Sequence, residues 1–521
     1  MSRSYDVVVV GAGIGGLTAA ALAAHDGLET LVLEAHNRPG GCAGDFALNG
    51  VIFPAGATLI SGFEPEGLHS WVYRRLGIVG RAEPLETAME VVGTEERFTL
   101  WTDRERWNDE ARRAFPRGHA ARERFLRWSE TIGGVVHRMA SRLPVMPPRT
   151  SRDVVRLTMA SRPEVLRTVP YLARTVGSVM SGFGAGKDGA FAQFVDAQLL
   201  DATGCEAATC AAVNGAIALD LYHRGCFALP GGPAEIARDL VRALRRNGGA
   251  IRFETRVAGL RRDAGGVWHV RTAHGETLRA RTVISNIPAW DMPALLGEQG
   301  RQRFRRAVRL RRHGWGAFVM HAAVDPAVLP ASRFAHFQTL PPIGGGLAEG
   351  GMCFISVMAP SRRDGAPRAV SVSTHTDVRR WWGMSEQAYR EQKGWYAERL
   401  LNACERAMPG FRRGVVFQQT ATPRTFAQYT LRAGGVVGGV RNDLRHSTFG
   451  ALSHRSGIAG LYLCGDSVFP GQGTIGVTLS GINAWRSVGD DLGVRRSTLR
   501  AGMAINGSRR DMAGDERTRV A

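Results

Sequence analysis

Tyr5–Val10 reads Y-D-V-V-V-V, Gly11–Gly16 reads G-A-G-I-G-G and Leu17–Ala24 reads L-T-A-A-A-L-A-A; Glu29–Leu33 then runs E-T-L-V-L into Glu34. The first run is β-branched and apolar on both faces, as a strand covered from both sides requires. The alanine-rich run carries no breaker and predicts a helix. Between them Gly11 permits a tight turn, Gly13 lets the backbone approach a pyrophosphate, and Gly16 lets the helix pack closely on the strand. Ala12, Ile14 and Gly15 complete the loop. The helix N-terminus then offers free N–H groups and a positive dipole end to phosphate oxygens. Glu34 lies about twenty residues on, where a carboxylate can accept hydrogen bonds from ribose hydroxyls. The whole order predicts a dinucleotide site.

Three further stretches work outward from this unit. Glu34 is followed by A-H-N-R-P-G-G-C-A (Ala35–Ala43). Leu229-Pro230-Gly231-Gly232-Pro233 precedes an amphipathic helix over Ala234–Arg246, which Asn247-Gly248-Gly249 ends. A strand over Ala250–Thr255 leads to Val257, and a meander through Val267–Thr272 and Arg281–Ser285 closes on Asn286-Ile287-Pro288. Near the C-terminus, Gly460–Cys464 reads as a strand ending in Gly465-Asp466, and Pro470–Gly476 opens a helix running to about Val488.

The P-G-G turn resembles the extension of the flavin amine oxidase superfamily, which points to FAD rather than NAD. That resemblance implies Gly40 and Gly41 beside the FAD phosphates, with Arg38 as the basic residue before them. It implies Val257 at the adenine, Asp466 on the ribitol chain, and Gly473, Thr474 and Ile475 at the helix N-terminus facing the flavin pyrimidine edge, where the dipole suits the anionic reduced ring. The predicted fold is α/β (α+β), with a Rossmann-type FAD-binding domain assembled from 1–70, 215–290 and 450–490. Residues 71–214 and 291–449 are expected to form a substrate-binding domain with a helical, membrane-facing part. Residues 496–521, polar and without periodicity, read as a disordered tail.

Composition bounds the rest. The chain has 521 residues, 44% hydrophobic and 22% charged, which excludes a disordered or collagen-like chain. Its net charge is +20, and only Lys187 and Lys393 among its 67 basic residues are lysine. Such a surplus favours anionic surfaces, but the arginines are dispersed and no nucleic-acid motif accompanies them, so nucleic acid is not an expected partner. Seven scattered cysteines without C-x-x-C argue against a disulfide framework or a zinc site and for a reducing compartment. No signal peptide is expected before the first strand, and no window approaches a bilayer span. The expected location is the cytoplasm, on the periphery of a membrane.

More blocks narrow the family. Phe53-Pro54-Ala55-Gly56-Ala57-Thr58, Trp315–Phe318, Ala421–Phe426 and Gly434–Gly439 resemble those of the carotenoid desaturase and isomerase family, closest to its bacterial 3',4'-desaturase branch. Pro54 stands where the family usually has Asp. The resemblance implies an FAD enzyme acting on a hydrophobic polyene, with quinone or oxygen as electron acceptor. It places Thr58 and Gln472 near the flavin as candidate catalytic-face residues. No metal is expected, since neither H-E-x-x-H nor clustered histidines occur.

A carotenoid has no charged handle, so its affinity must come from buried apolar area, about 25 cal/mol per Å² before ordering costs. Phe191, Phe194, Leu199, Leu200, Phe318, Met320, Phe354 and Met358 are candidate tunnel residues, though each taken singly reads more readily as ordinary core. His321, His336 and His375 are candidate proton acceptors. Ser151–Phe183 alternates arginines with Val, Leu and Met and is broken by Pro163 and Pro170, a pattern suited to a membrane interface or to a solvated helical face. The leading expectation is desaturation of an acyclic carotenoid at C-3',4'. Alternatives are a carotenoid cis–trans isomerase, a retinol-saturase-like reductase, a non-catalytic flavin or polyprenoid binder, and an amine oxidase.

Overall fold

The structure, a computed structural model, describes residues 4–360 and 365–494. Two seven-stranded sheets organise it. In the first, Ser4–Val10 lies between Thr30–Leu33 and the long strand Thr277–Ser285, parallel to both. Ala250–Arg252 extends one edge in parallel. Thr277–Ser285 divides its other side: its first half pairs antiparallel with Trp268–Thr272, and its end pairs parallel with Leu461–Leu463. Residues more than 450 apart in sequence thereby share one sheet.

The strand Ser4–Val10 has Val7, Val8 and Val9 fully buried, as a strand covered on both faces must. On one face pack Ile14–His25, Ala234–Arg246 and Thr474–Asp491, whose apolar residues form a single cluster. The first helix has eleven of its twelve residues buried, which its run of alanines allows. Ala234–Arg246 ends where the sequence predicts, with Asn247 at the C-cap and Gly248 at φ 81°.

The second sheet joins two distant parts of the chain. Thr87–Val92 and Arg97–Trp101 come from the earlier part, and Trp315–Val324, Ala335–Thr339, Cys353–Val357, Arg368–Asp377 and Val415–Ala421 from the later one. They meet where Ala335–Thr339 pairs parallel with Thr87–Val92. A helical layer containing His119–Ala140, Gly189–Thr203 and Ala212–Asp220 adjoins it around a core that includes Trp107, Phe125 and Phe191.

Ala212–Asp220 packs on His119–Ala140, because Gly133 leaves no side chain in the way: a Cβ there would sit 2.9 Å from the Ala216 carbonyl oxygen. Residues 215–220 therefore lie with the helical layer and not on the first sheet, unlike the boundary expected from sequence. The prolines divide 151–183 into Ser151–Ala160, a 3-10 stretch over Pro163–Tyr171, and Val176–Phe183. Among the described residues no helix is long and apolar enough to cross a membrane. The expected tail, 496–521, lies outside the described residues.

Candidate active site

A cavity of about 1380 Å³ runs from the glycine loop of the first sheet to the face of the second. Ordinary small-molecule sites enclose about 300–1,000 Å³, so this one has room for a dinucleotide and a second molecule. Its wall includes Gly11, Gly13, Ile14, Gly15, Glu34, Arg38, Gly40, Gly41 and Val257, and farther along Thr58, Gly465, Asp466, Gln472, Gly473, Thr474 and Ile475. The chain thus gathers on one surface residues that the sequence separates by more than 450 positions.

Ala12 and Gly16 do not line the cavity; they hold its wall in shape. The Ala12 N–H donates to Glu34 at 2.6 Å, and the His36 N–H donates to the other Glu34 oxygen at 2.9 Å. A carboxylate has about four acceptor positions, so Glu34 keeps capacity for ribose hydroxyls while its orientation is fixed. The Gly16 N–H donates to Asn286 Oδ1 at 2.9 Å. A Cβ on Gly16 would lie 2.5 Å from the Gly11 carbonyl oxygen, and one on Gly13 would lie 2.3 Å from the Asn286 amide nitrogen. Gly13 is required by this neighbour as well as by any phosphate. Gly13, at the N-cap, has no side chain to cap the first helix, and no acid lies in its first turn; beyond the bond from Gly16 to Asn286, its positive end is turned to the cavity.

Arg38 sits at the rim, its side chain half exposed and 3.6 Å from Asp45. The buried cation of this region is Arg432, which sequence reading missed. One of its terminal nitrogens donates to both Asp466 oxygens at 3.0 and 2.8 Å, its Nε donates to the Val436 carbonyl at 2.8 Å, and its guanidinium lies 5.7 Å from the Trp290 ring centre. Asp466 is therefore already engaged by a cation. Nearby Asp291 is pushed up to about 6 by burial, and burial also pushes up the Cys42 thiol. The Gly434–Gly439 block exists for close approach: a Cβ on Gly439 would lie 2.0 Å from the Asp466 carbonyl oxygen, and one on Gly438 would lie 2.3 Å from Gln472 Oε1. Arg432 stands just before this block, the one sequence signal that could have marked it.

Gly473, at φ 84°, opens Thr474–Asp491 without a side-chain cap, so a second helix N-terminus reaches the cavity. Gln472 donates to the Asp201 backbone carbonyl at 2.8 Å. Thr58 accepts from Ser356 Oγ at 2.8 Å, and Ser356 is bonded to His336 at 2.9 Å.

The expected tunnel residues are mostly core. Of the eight, only Phe354 lines the cavity. Phe191, Phe194, Leu199 and Leu200 pack inside the helical layer, Phe318 and Met320 lie on the far face of the second sheet, and Met358 packs beside Phe53. The cause is strand alternation: Ala317, Val319 and His321 face the cavity, so Phe318 and Met320 face away. His321 and His375 line the cavity, whereas His336 stacks behind Phe354. Burial pulls all three histidines down to about 4, which makes them weak proton acceptors at neutral pH. Among the described residues no three His, Cys, Asp or Glu side chains gather to hold a metal ion.

The glycine cradle, two helix N-termini and the acceptor Glu34 fit a dinucleotide's phosphates and ribose. Comparisons agree with this chemistry. The family described as flavin containing amine oxidoreductase matches residues 14–488. A prolycopene isomerase of Daucus carota is 27% identical over 510 residues, covering 95% of this chain and 82% of its own. An all-trans-retinol 13,14-reductase of Danio rerio is 28% identical over 257 residues, covering 48% of this chain and 41% of its own. Among solved structures, an oxidoreductase from Methanosarcina mazei superposes with a TM-score of 0.61 at 15% identity, covering 93% of this chain and all of its own. Cyclohexylamine oxidase from Brevibacterium oxydans superposes at 0.60 and 13% identity, covering 94% of this chain and all of its own. These structural likenesses establish the fold.

Proposed function

The chain belongs to the flavin containing amine oxidoreductase family and is an FAD-dependent oxidoreductase of the carotenoid isomerase and retinol reductase type; from that premise we propose that it converts a hydrophobic polyene within the cavity. The observation that carries this reading is the similarity to prolycopene isomerase along nearly the whole chain, joined to a cavity roomy enough for a cofactor and a long second ligand. Bound FAD supplies a two-electron donor or acceptor. The chain's part is to hold the dinucleotide along Gly11–Gly15, Glu34, Gly40 and Gly41, and to present the substrate against the second sheet.

Cis–trans isomerisation is the first reading, because the relatives with that name cover 95% of this chain. Desaturation at C-3',4', with quinone or oxygen as acceptor, is the second, carried by the bacterial sequence blocks. We further propose docking to a membrane surface from the cytoplasmic side. Ser151–Ala160 and the stretch after it expose Val154, Val155, Met159, Leu166, Val169 and Leu172, with Met159 at 78% and Leu166 at 70%. Arg152, Arg162 and Arg167 are exposed among them. Arg142, from the loop whose Ser141, Pro144 and Met146 line the cavity, donates to the Ala160 carbonyl at 3.0 Å and ties that patch to the site.

The test is anaerobic incubation of purified holoenzyme, with flavin reduced or oxidised, with poly-cis and all-trans acyclic carotenoids, followed by chromatography and mass measurement. An unchanged mass with altered geometry supports the isomerase. A gain of two hydrogens assigns a reductase, and a loss of two assigns the desaturase. No change of any polyene in either flavin state overturns the reading in favour of a non-catalytic flavin binder.

A further inference from the structure

Asp201 is a carboxyl inside the cavity that none of the roles above uses. It sits in the last turn of Gly189–Thr203, one turn before the helix ends at Gly204. The negative end of the helix dipole disfavours an anion there. Its side chain is about one-fifth exposed, toward the cavity. One oxygen accepts from Gln338 Nε2 at 2.7 Å, and Gln338 is fully buried and oriented by the Gln198 amide, which donates to its Oε1 at 2.6 Å. The other oxygen has His375 Nδ1 at 3.7 Å, beyond a hydrogen bond. The Asp201 main chain is pinned by Gln472, next to the N-terminus of Thr474–Asp491 that reaches the cavity.

We propose that Asp201 is the cavity's proton carrier, the group that gives a proton to, or takes one from, the reacting carbon chain. The inference rests on the proposed polyene chemistry. In desaturation two adjacent C–H bonds break: the hydride goes to oxidised FAD, the proton goes to the Asp201 carboxylate, and the electron pair left behind forms the new double bond. In reduction the same transfers run backwards from reduced FAD and protonated Asp201. In isomerisation a proton is added and later withdrawn, with no net change.

The surrounding groups suit both protonation states. Gln338 donates to one oxygen in either state and leaves the other turned to the cavity. The neighbours that face it are His375 on Arg368–Asp377, Cys353 on the adjoining strand and Tyr222 on the helical side; Arg441, stacked 4.5 Å from the Trp315 ring centre, acts on His375. His375 is uncharged at neutral pH, and among the described residues no Arg or Lys forms an ion pair with Asp201. Burial accordingly pushes its carboxyl up to about 7, the range in which an acid serves both directions of transfer.

The experiment compares wild-type holoenzyme with Asp201→Asn, Asp201→Glu and Gln338→Met, using flavin absorbance per protein as the folding control. Infrared titration of the loaded protein should show a carboxylic acid that deprotonates near pH 7 and is missing in Asp201→Asn. Gln338→Met removes a donor to the anion and should move that titration upward. With a polyene that turns over, Asp201→Asn should lower kcat by about 10²–10⁴-fold and abolish the inflection near pH 7, with Asp201→Glu recovering part of the rate at a shifted pH. Product formed in D2O should carry deuterium in wild type and far less in Asp201→Asn. A carboxyl already ionised at pH 5, or an Asp201→Asn variant with wild-type rate and pH profile, overturns the proposal. If no polyene turns over in wild type, the functional reading fails while the infrared titration still decides whether Asp201 holds the proton.

Discussion

A single terminal nitrogen of Arg432 binds both carboxylate oxygens of Asp466, at 3.0 and 2.8 Å. The pair lies where the Gly434–Gly439 block closes on the end of the Leu461–Leu463 strand, so it clamps these two segments together on the cavity wall. Both side chains are mostly out of solvent. Removing one partner of such a pair leaves an uncompensated charge and costs about 3–5 kcal/mol. Arg432→Met should therefore lower Tm markedly and release FAD. The double variant Arg432→Met/Asp466→Asn removes both charges and should regain most of the Tm but not the flavin. Thermal unfolding, with flavin absorbance per protein, checks both; a single variant that keeps its flavin would exclude the clamp.

Gly16→Ala adds one methyl group against the backbone of the glycine loop. It would meet the Gly11 carbonyl oxygen at 2.5 Å and Asn286 Cβ at 2.9 Å. Backbone cannot yield as a flexible side chain would. The variant should fold with reduced stability, by about 1–3 kcal/mol as overpacked sites do, and purify with little flavin. Gly248→Ala is the control, since no atom lies within 4 Å of its Cβ position; its cost should be that of a left-handed backbone alone, with flavin retained.

The glycine-rich half of the cavity wall was legible because its geometry is local. Gly11–Gly16, Glu34 and Gly473–Ile475 owe their places at or behind the cavity wall to turns and helix ends that a short stretch of sequence specifies. The partners that complete them were not. Asn286, Arg432 and Asp201 act through neighbours 270, 34 and 137 positions away, respectively Gly16, Asp466 and Gln338. The tunnel residues failed for a related reason. Phe318 and Met320 differ from Ala317 and Val319 only in strand phase, and the large side chains face the core while the small ones face the cavity. Size alone therefore pointed to the wrong face.

Buried neutral histidines make the fold acid-sensitive. Burial holds His69 at about 3 and His321, His336, His375 and His454 at about 4, against an ordinary value of 6.5. Between pH 6.5 and 4 the unfolded chain binds more protons than the folded one, so stability falls as pH falls through that window. Each such histidine contributes up to about 3 kcal/mol to the loss. Asp201 has the opposite sign: its raised value means the folded state holds the extra proton between pH 4 and 7, and stability falls as pH rises. Tm measured from pH 4 to 8 should drop steeply on the acid side. Asp201→Asn should gain on wild type as pH rises from 4 to 7, and a parallel pair of curves would contradict the assignment.

The exposed patch over Val154–Leu172 offers a test of membrane docking that leaves the fold alone. Its apolar side chains contribute little to the core, so charge substitutions there should change stability by no more than about 0.5 kcal/mol. Inserting Met159 and Leu166 into the headgroup boundary would bury most of their surface, which contributes about 1.5–3 kcal/mol per large apolar side chain. The exposed Arg152, Arg162 and Arg167 add attraction to anionic lipid at about 1 kcal/mol per residue near the surface, weakened by salt. Flotation with phosphatidylglycerol-containing vesicles should therefore recover wild type at low salt and less of it at high salt. Met159→Asp/Leu166→Asp should lose at least a hundredfold in partitioning with Tm and flavin content unchanged. Equal flotation of the two proteins would place the membrane contact elsewhere. If the variant also acts more slowly on vesicle-embedded carotenoid but normally on detergent-dispersed carotenoid, the patch serves substrate delivery, because the loop that Arg142 ties to it lines the cavity itself.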